Sequence, residues 1–345
     1  MKKLTLTVAA LAAGLLCGAA IAQNAAPPKA EPHMQKVLDA MASLEPKPIE
    51  TLSPEEARKQ PTAADAVKKV LTDEGKSTAP EPGVTMKTLN VQGKGGSFPV
   101  HVFTPEGKGP FPVIVYYHGG GFVIADTKVY ESSVRALAKQ AKAIVVSSDY
   151  RRAPEQTFPV QTEDAFAAYQ WALAHAKEWN GDPMRVAVAG ESAGGNLATV
   201  VSMMARDQKV QLPVHQLLVY PVVNDDMNNA SYKTNANAKP LNKAMMGWFF
   251  KHYGADPKNP YALPMKATSL KGLPPATVIT AEIDPLMTEG KAYADRLKQE
   301  GVAVNYRHYT GVTHEFFGMG AVVPKAREAQ AFAAEELTKA FNAKR

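Results

Sequence analysis

The chain has 345 residues, of which 45% are hydrophobic and 21% charged, with a formal net charge of +6. That is room for one large domain or two small ones with a sizeable core, and it excludes wholesale disorder, collagen and coiled coil. The charge is mild and forms no basic arm or finger, so nucleic acid is not expected as a partner.

Residues 1–22 open on Lys2 and Lys3, run apolar from Leu4 to Ile21 and reach Ala20-Ile21-Ala22. A charged start, an apolar middle and an A-x-A site read as a cleavable secretory signal peptide. A membrane anchor is the alternative, but the run is short, alanine-rich and broken by glycine, and no basic flank follows it. Leu16 before Cys17 also speaks against a lipoprotein signal. Export to the periplasm or beyond is therefore expected, with no stable membrane insertion after cleavage. Because Cys17 is the only cysteine, the mature chain would hold no disulfide, no thiolate metal site and no cysteine nucleophile.

Residues 23–80 are rich in proline, with short helical pieces between. Val37, Leu38, Met41 and Leu44 recur at helical spacing. Ser53-Pro54-Glu55-Glu56 reads as a helix start, with a capping serine, proline at the first position and acids in the first turn. This zone is too thin for a core of its own and is expected to pack on the rest as linker and cap helices.

The segment 81–345 alternates strand and helix. Strand-like runs fall at 84–91, 98–103, 111–117, 143–148, 185–189, 215–222, 276–281 and 304–309; helix-like runs fall at 129–141, 161–179, 193–206, 289–300 and 325–341. The continuously apolar run Pro112-Val113-Ile114-Val115-Tyr116-Tyr117 implies a strand buried on both faces, hence a mostly parallel sheet covered by helices. The first two runs, joined by glycines, suggest an antiparallel hairpin at the sheet edge. An insertion at about 224–262 breaks the rhythm and carries an apolar helix at 241–253. Together with the N-terminal zone it could roof the sheet's carboxyl edge, where open α/β sheets place their sites.

The chemistry centres on Gly190-Glu191-Ser192-Ala193-Gly194, between a strand and a helix. G-x-S-x-G in that context is a nucleophile elbow, which lifts the serine hydroxyl above the sheet. A serine needs a histidine to take its proton and an acid to orient the histidine, here in the chain order Ser, acid, His. Asp284 closes a strand and His314 follows the last one, in Thr313-His314-Glu315-Phe316. Glu282 and His308 are rivals, but strand alternation would point Glu282 to a different face and His308 lies within its strand rather than beyond its end. His118-Gly119-Gly120-Gly121-Phe122 directly follows the third strand, where an oxyanion loop belongs, with the Ala193 amide as partner donor. His118 itself is expected to brace that loop.

Taken together, His118–Phe122, Asp149-Tyr150-Arg151-Arg152-Ala153-Pro154-Glu155, Gly190–Gly195 and Asp284-Pro285-Leu286 resemble the bacterial hormone-sensitive-lipase-like branch of the α/β-hydrolases. The resemblance runs from about residue 34 to the C-terminus and implies an eight-stranded α/β-hydrolase core with a helical cap. It also implies a carboxylesterase acting on short or medium acyl esters. Arg152, Glu191 and Glu315 depart from the family's usual Leu, Asp and Gly at those places, which bears on substrate preference rather than on the reaction.

The expected site is therefore Ser192, Asp284 and His314 as triad, with Gly119, Gly120, Gly121 and Ala193 at the oxyanion. Phe122, Trp248 and Phe249 are candidate substrate walls, although an apolar cap helix must bury one face whatever its function. No cofactor or metal is implied. His314-Glu315 begins a zinc pattern, but Gly318 stands where the second histidine is needed; Gly75-Lys76-Ser77 lacks the first glycine of a phosphate loop; and Asn224-Asp225-Asp226 reads as a solvated loop. An amidase or deacetylase could use the same machinery. A non-catalytic binding protein on this fold would be expected to have lost a triad member, and all three are present.

Overall fold

In the computed structural model the described residues are 28–343; the signal-peptide reading lies outside them. Three helices come first: α1 (Pro32–Ser43), α2 (Pro54–Ala57) and α3 (Ala63–Asp73). The Ser53 expectation is met, since Ser53 and Glu56 cap each other's backbone amides across α2. Thr62 and Asp65 do the same for α3, a helix the sequence reading did not assign.

The chain then runs β1 (Val84–Gly93), β2 (Gly96–Pro105), β3 (Phe111–Tyr117), α4 (Glu131–Gln140), β4 (Ile144–Ser148), α5 (Val160–His175), β5 (Gly181–Glu191) and α6 (Ala193–Asp207). After β6 (Gln216–Val219) the insertion contributes α7 (Ala230–Thr234) and α8 (Lys243–Tyr253); β7 (Ala276–Ile283), α9 (Met287–Gln299), β8 (Val304–Thr313) and α10 (Pro324–Asn342) complete the chain. All eight strand-like runs are strands of one sheet, in the order β1-β2-β4-β3-β5-β6-β7-β8. The β1–β2 and β2–β4 pairs are antiparallel and the remaining pairs parallel. β6 is shorter than expected because the chain turns out of the sheet at Tyr220, which has φ +36°.

Alternation along β3 shows why the strands read as continuous apolar runs. Val113, Val115 and Tyr117 enter one core with α5, α6 and α9, while Ile114 and Tyr116 enter the other with α4 and α10. The N-terminal helices join the second core through Met34, Val37, Val67 and Val70. The Glu31 amide also bonds the Gly311 carbonyl in β8 at 2.8 Å. A third, smaller cluster joins Ile49 and Ala57 to Leu241, Met246, Trp248 and Phe249 over the loops at Val123, Ala153 and Val222. This cluster couples the N-terminal zone to the insertion above the carboxyl ends of the strands. Among the described residues no helix is long and apolar enough to cross a membrane.

Candidate active site

Ser192 sits between β5 and α6 with φ +57° and ψ −119°, a conformation that costs an L-residue about 1–3 kcal/mol and persists only where the surroundings impose it. They do so here. The Ser192 amide donates to the Val219 carbonyl at 2.9 Å, and its own carbonyl accepts from the amides of Asn196 at 3.1 Å and Val222 at 3.2 Å. The Asn196 side chain then ties the elbow to the insertion, donating to the carbonyls of Val222 and Ala262, each at 2.8 Å.

Asp284 lies just past β7 and His314 just past β8, and their side chains meet: Nδ1 of His314 is 2.8 Å from Oδ2 of Asp284. The other carboxylate oxygen accepts the Leu286 amide at 2.8 Å. Both residues are buried, at 0% and 2% exposure. Burial alone would push the imidazolium down, but the Asp284 charge and hydrogen bond, reinforced by Glu315 and Glu191, raise it above the ordinary histidine value. Tyr220 packs on the His314 ring at 4.5 Å between centroids. The rivals are engaged elsewhere, Glu282 accepting the Gly311 amide at 2.7 Å and His308 bonded to Thr280 at 3.0 Å. Ser192 and His314 border one cavity, and no hydrogen bond joins them; without substrate this contact is commonly long.

The cavity holds about 450 Å³. Gly120, Gly121, Ser192 and His314 border it, as do Leu38, Met41, Ile49 and Ala57 of the N-terminal zone and Met245, Met246 and Phe249 of α8. The amides of Gly120 and Gly121 donate to no acceptor among the described residues. The Ala193 amide belongs to the first turn of α6, whose amides have no partner inside the helix. Gly121 has φ +58°, and any Cβ there would collide with the Phe249 ring. Gly119 does not border the cavity; a Cβ on it would strike the Tyr130 hydroxyl.

Two of the three expected wall residues, Phe122 and Trp248, do not border this cavity. Phe122 has φ +65°, which turns its ring away to stack on Tyr253 at 3.9 Å, outside the cavity lining. Trp248 lies on the flank of α8 that packs toward the N-terminal zone, and its indole donates to the Leu52 carbonyl at 3.2 Å. Phe249 alone of the three borders the cavity. His118 has the bracing surroundings expected of it. It is buried, stacked on Tyr150 at 4.4 Å and bonded at Nδ1 to the Gly119 carbonyl at 2.7 Å, and burial holds it below the ordinary histidine range. Asp225 of the 224–226 loop pairs with Lys266 at 2.9 Å.

Several residues around the site were given no role by the sequence reading. Arg58 donates from Nε to the Val123 carbonyl at 2.8 Å and holds Glu155 through two nitrogens at 2.6 and 2.7 Å, pinning α2 to the loops beneath it. Glu191 is fully buried between the hydroxyls of Tyr116, at 2.6 Å, and Tyr220; burial outweighs these donors and pushes its carboxyl up to about 7. Glu289, at the start of α9, accepts the amides of Val223 and Asn224, and burial pushes it up to about 8. Glu315 has φ +69° and accepts from the Tyr130 hydroxyl at 2.6 Å, so one tyrosine links the histidine loop to the Gly119 turn.

A strained serine at a strand–helix turn, a buried His–Asp pair past the ends of β7 and β8 and free glycine amides thus meet around one cavity. A family profile described as the alpha/beta hydrolase fold matches residues 114–318. The chain belongs to the hormone-sensitive-lipase-like carboxylesterase family of the α/β-hydrolases. It is 38% identical over 271 residues to carboxylesterase NlhH of Mycobacterium tuberculosis, spanning 76% of this chain and 85% of that one. With carboxylic ester hydrolase LipN of the same organism it shares 38% over 249 residues, spanning 70% of this chain and 66%, just under two thirds, of LipN. The crystal structure of a thermostable esterase from Pseudomonas putida ECU1011 superposes with a TM-score of 0.84 at 35% identity, covering 92% of this chain and 99% of that one.

Proposed function

We propose that the protein is a serine carboxylesterase that hydrolyses short- to medium-chain acyl esters through an acyl-enzyme. The observation that carries this is the buried His314–Asp284 pair opening on the same cavity as the strained Ser192. In the proposed cycle Ser192 Oγ attacks the ester carbonyl while His314 Nε2 takes the hydroxyl proton. Asp284 holds the Nδ1–H and stabilises the imidazolium. The amides of Gly120, Gly121 and Ala193 receive the developing oxyanion, and Gly119 shapes the turn that presents them. His314 then protonates the leaving alcohol, and a water activated by the same ring releases the acid. No metal or cofactor enters these steps.

The acyl preference rests on the roof. Each methylene gains about 0.8 kcal/mol only while the pocket can bury it. Phe249, Met245 and Met246 line the cavity from α8, and the N-terminal zone lines it from the other side. Activity is therefore expected to peak at acyl chains of about four to eight carbons, with soluble esters preferred over emulsified triglycerides. We also propose that residues 1–22 direct export and are removed, leaving the enzyme in the periplasm or outside the cell; the N-terminal sequence of the purified protein tests this.

The activity test is kcat/KM for 4-nitrophenyl esters from acetyl to palmitoyl, with fluorophosphonate labelling of wild type and Ser192→Ala. A maximum at short or medium chains and labelling lost in the variant are expected. Labelling that survives Ser192→Ala removes that residue from the mechanism, and a monotonic rise to palmitoyl refutes the closed pocket.

A further inference from the structure

Of Arg58, Arg151 and Arg152, two have their charge answered. Arg151 lays Nε and Nη2 on the buried Asp164 at 2.9 and 2.7 Å, and Arg58 holds Glu155. Arg152 differs. It is half-buried, its one side-chain hydrogen bond runs from Nη1 to the Ala125 carbonyl at 2.5 Å, and among the described residues it makes no ion pair, the Glu155 carboxylate that feels its charge being held by Arg58. A guanidinium has five N–H donors in a fork that matches a carboxylate, so most of its capacity is unspent.

The position of this group is as informative as its lack of a partner. Arg152 borders the cavity that holds Ser192 and His314. The residue it bonds, Ala125, lies against Gly120: a Cβ built on that glycine would come within 3.0 Å of the Ala125 Cβ. Asp126, the next acid along this wall, turns Oδ1 to the Val129 amide and forms no ion pair with Arg152. Glu315 receives the Tyr130 hydroxyl. Lys239, exposed on the cavity wall and without an ion pair among the described residues, and Lys47 add charge of the same sign as Arg152, while Glu45 and Glu50 on the N-terminal side carry the opposite sign. A partly desolvated cation with open donors is costly until an anion answers it, and charge-assisted bidentate pairs are among the stronger hydrogen bonds available.

We propose that Arg152 is a specificity residue that receives a carboxylate carried by the ester, so that the preferred substrates are ester acids rather than plain alkyl esters. This rests on the esterase reading above and deepens it. The guanidinium stays protonated throughout and takes no part in bond breaking; water is still added across the ester as in the proposed cycle.

Two matched pairs test it, one for each side of the ester bond. On the acyl side, the 4-nitrophenyl monoester of glutaric acid is compared with 4-nitrophenyl pentanoate. On the alcohol side, 4-acetoxybenzoate is compared with 4-methylphenyl acetate. The quantity read is the ratio of kcat/KM, anionic over neutral, in wild type, Arg152→Leu, Arg152→Gln and Arg152→Lys. For at least one pair the ratio should fall by about tenfold or more in the Leu and Gln variants, chiefly through KM, and be largely kept in the Lys variant. In wild type that ratio should also fall as salt is raised, a reading that needs no variant to fold. Normal turnover with ratios unmoved by Arg152→Leu, Arg152→Gln and salt overturns this proposal alone. A folded wild type that neither cleaves any ester nor takes the fluorophosphonate overturns the esterase reading, and this proposal with it.

Discussion

Below the cavity, each group with a proposed role in the chemistry rests on the sheet. Ser192 continues from β5, Asp284 from β7 and His314 from β8, and all three are at most 5% exposed. Above it, α1–α3 and α8 meet the rest through scattered devices: Met34 in the second core, the Arg58 clamp and the Trp248 bond to Leu52. Parallel strands buried on both faces hold side chains at their ends with little freedom, whereas the short helices of the roof pack on the rest through one face each, by small apolar clusters and a few polar ties. Geometry that must be precise is thus placed on the floor, and the proposed acyl walls are placed largely on the roof.

The largest effects should come from the floor. Ser192→Ala and His314→Ala are each expected to lower kcat by about four to six orders of magnitude while the melting temperature barely moves. Asp284→Asn should cost about 10⁴-fold. Its pH profile sharpens the test: His314 must be neutral to act as base, and Asp284 raises it above the ordinary histidine value, so the acid limb of kcat/KM should lie above about 6.5 in wild type and shift down in the variant. An unmoved limb would detach Asp284 from the histidine.

The seam between floor and roof is tested at Gly121. Gly121→Ala puts a methyl into the Phe249 ring and is expected to lower kcat by about 10²-fold, comparable to loss of an oxyanion donor. Adding Phe249→Ala should return part of that rate; a strictly additive double variant would show that the glycine serves only its own backbone. The smallest effect belongs to the roof. Arg58→Ala should cost about 1 kcal/mol of stability with kcat nearly kept, since Glu155 is largely solvent-exposed. Arg58 holds the Glu155 carboxyl at about 2, so this share of stability is complete above about 4.5 and is lost as pH falls toward 2. Thermal melts across that acid range should show the loss in wild type and not in Arg58→Ala.

The same division governs what could be read from residues alone. The elbow, the glycine loop and the order of strands are local: a glycine pattern or an apolar run names its own conformation, and eight strands followed from eight such runs. Asp284 and His314 were legible because the fold dictates which strand ends they follow. Wall residues are set by rotation and by distant partners. Trp248 and Phe249 are neighbours on one apolar helix, and only its docking decides which of them faces the cavity. Phe122 turned on a positive φ that an aromatic residue does not advertise. Arg58 and Glu155 lie 97 residues apart, and although Glu155 sits in a stretch that carries the family resemblance, no local pattern says that the two pair. The α3 helix is the exception, since its Thr62–Asp65 capping box was there to be read.

The buried carboxyls Glu191 and Glu289 make folding a proton-binding reaction. Unfolded, both titrate near 4.5; folded, they keep their protons to about 7 and about 8. A folded value above the unfolded one gives stability that is whole below about 4.5 and drains away as pH climbs through 7 to 8. Hydrolysis through a histidine base runs the other way, gaining as the ring loses its proton. In the proposed cycle, the pH that favours His314 as base is therefore the pH at which the share of stability held by these two carboxyls is smallest, and Glu191→Gln should flatten the alkaline decline in melting temperature.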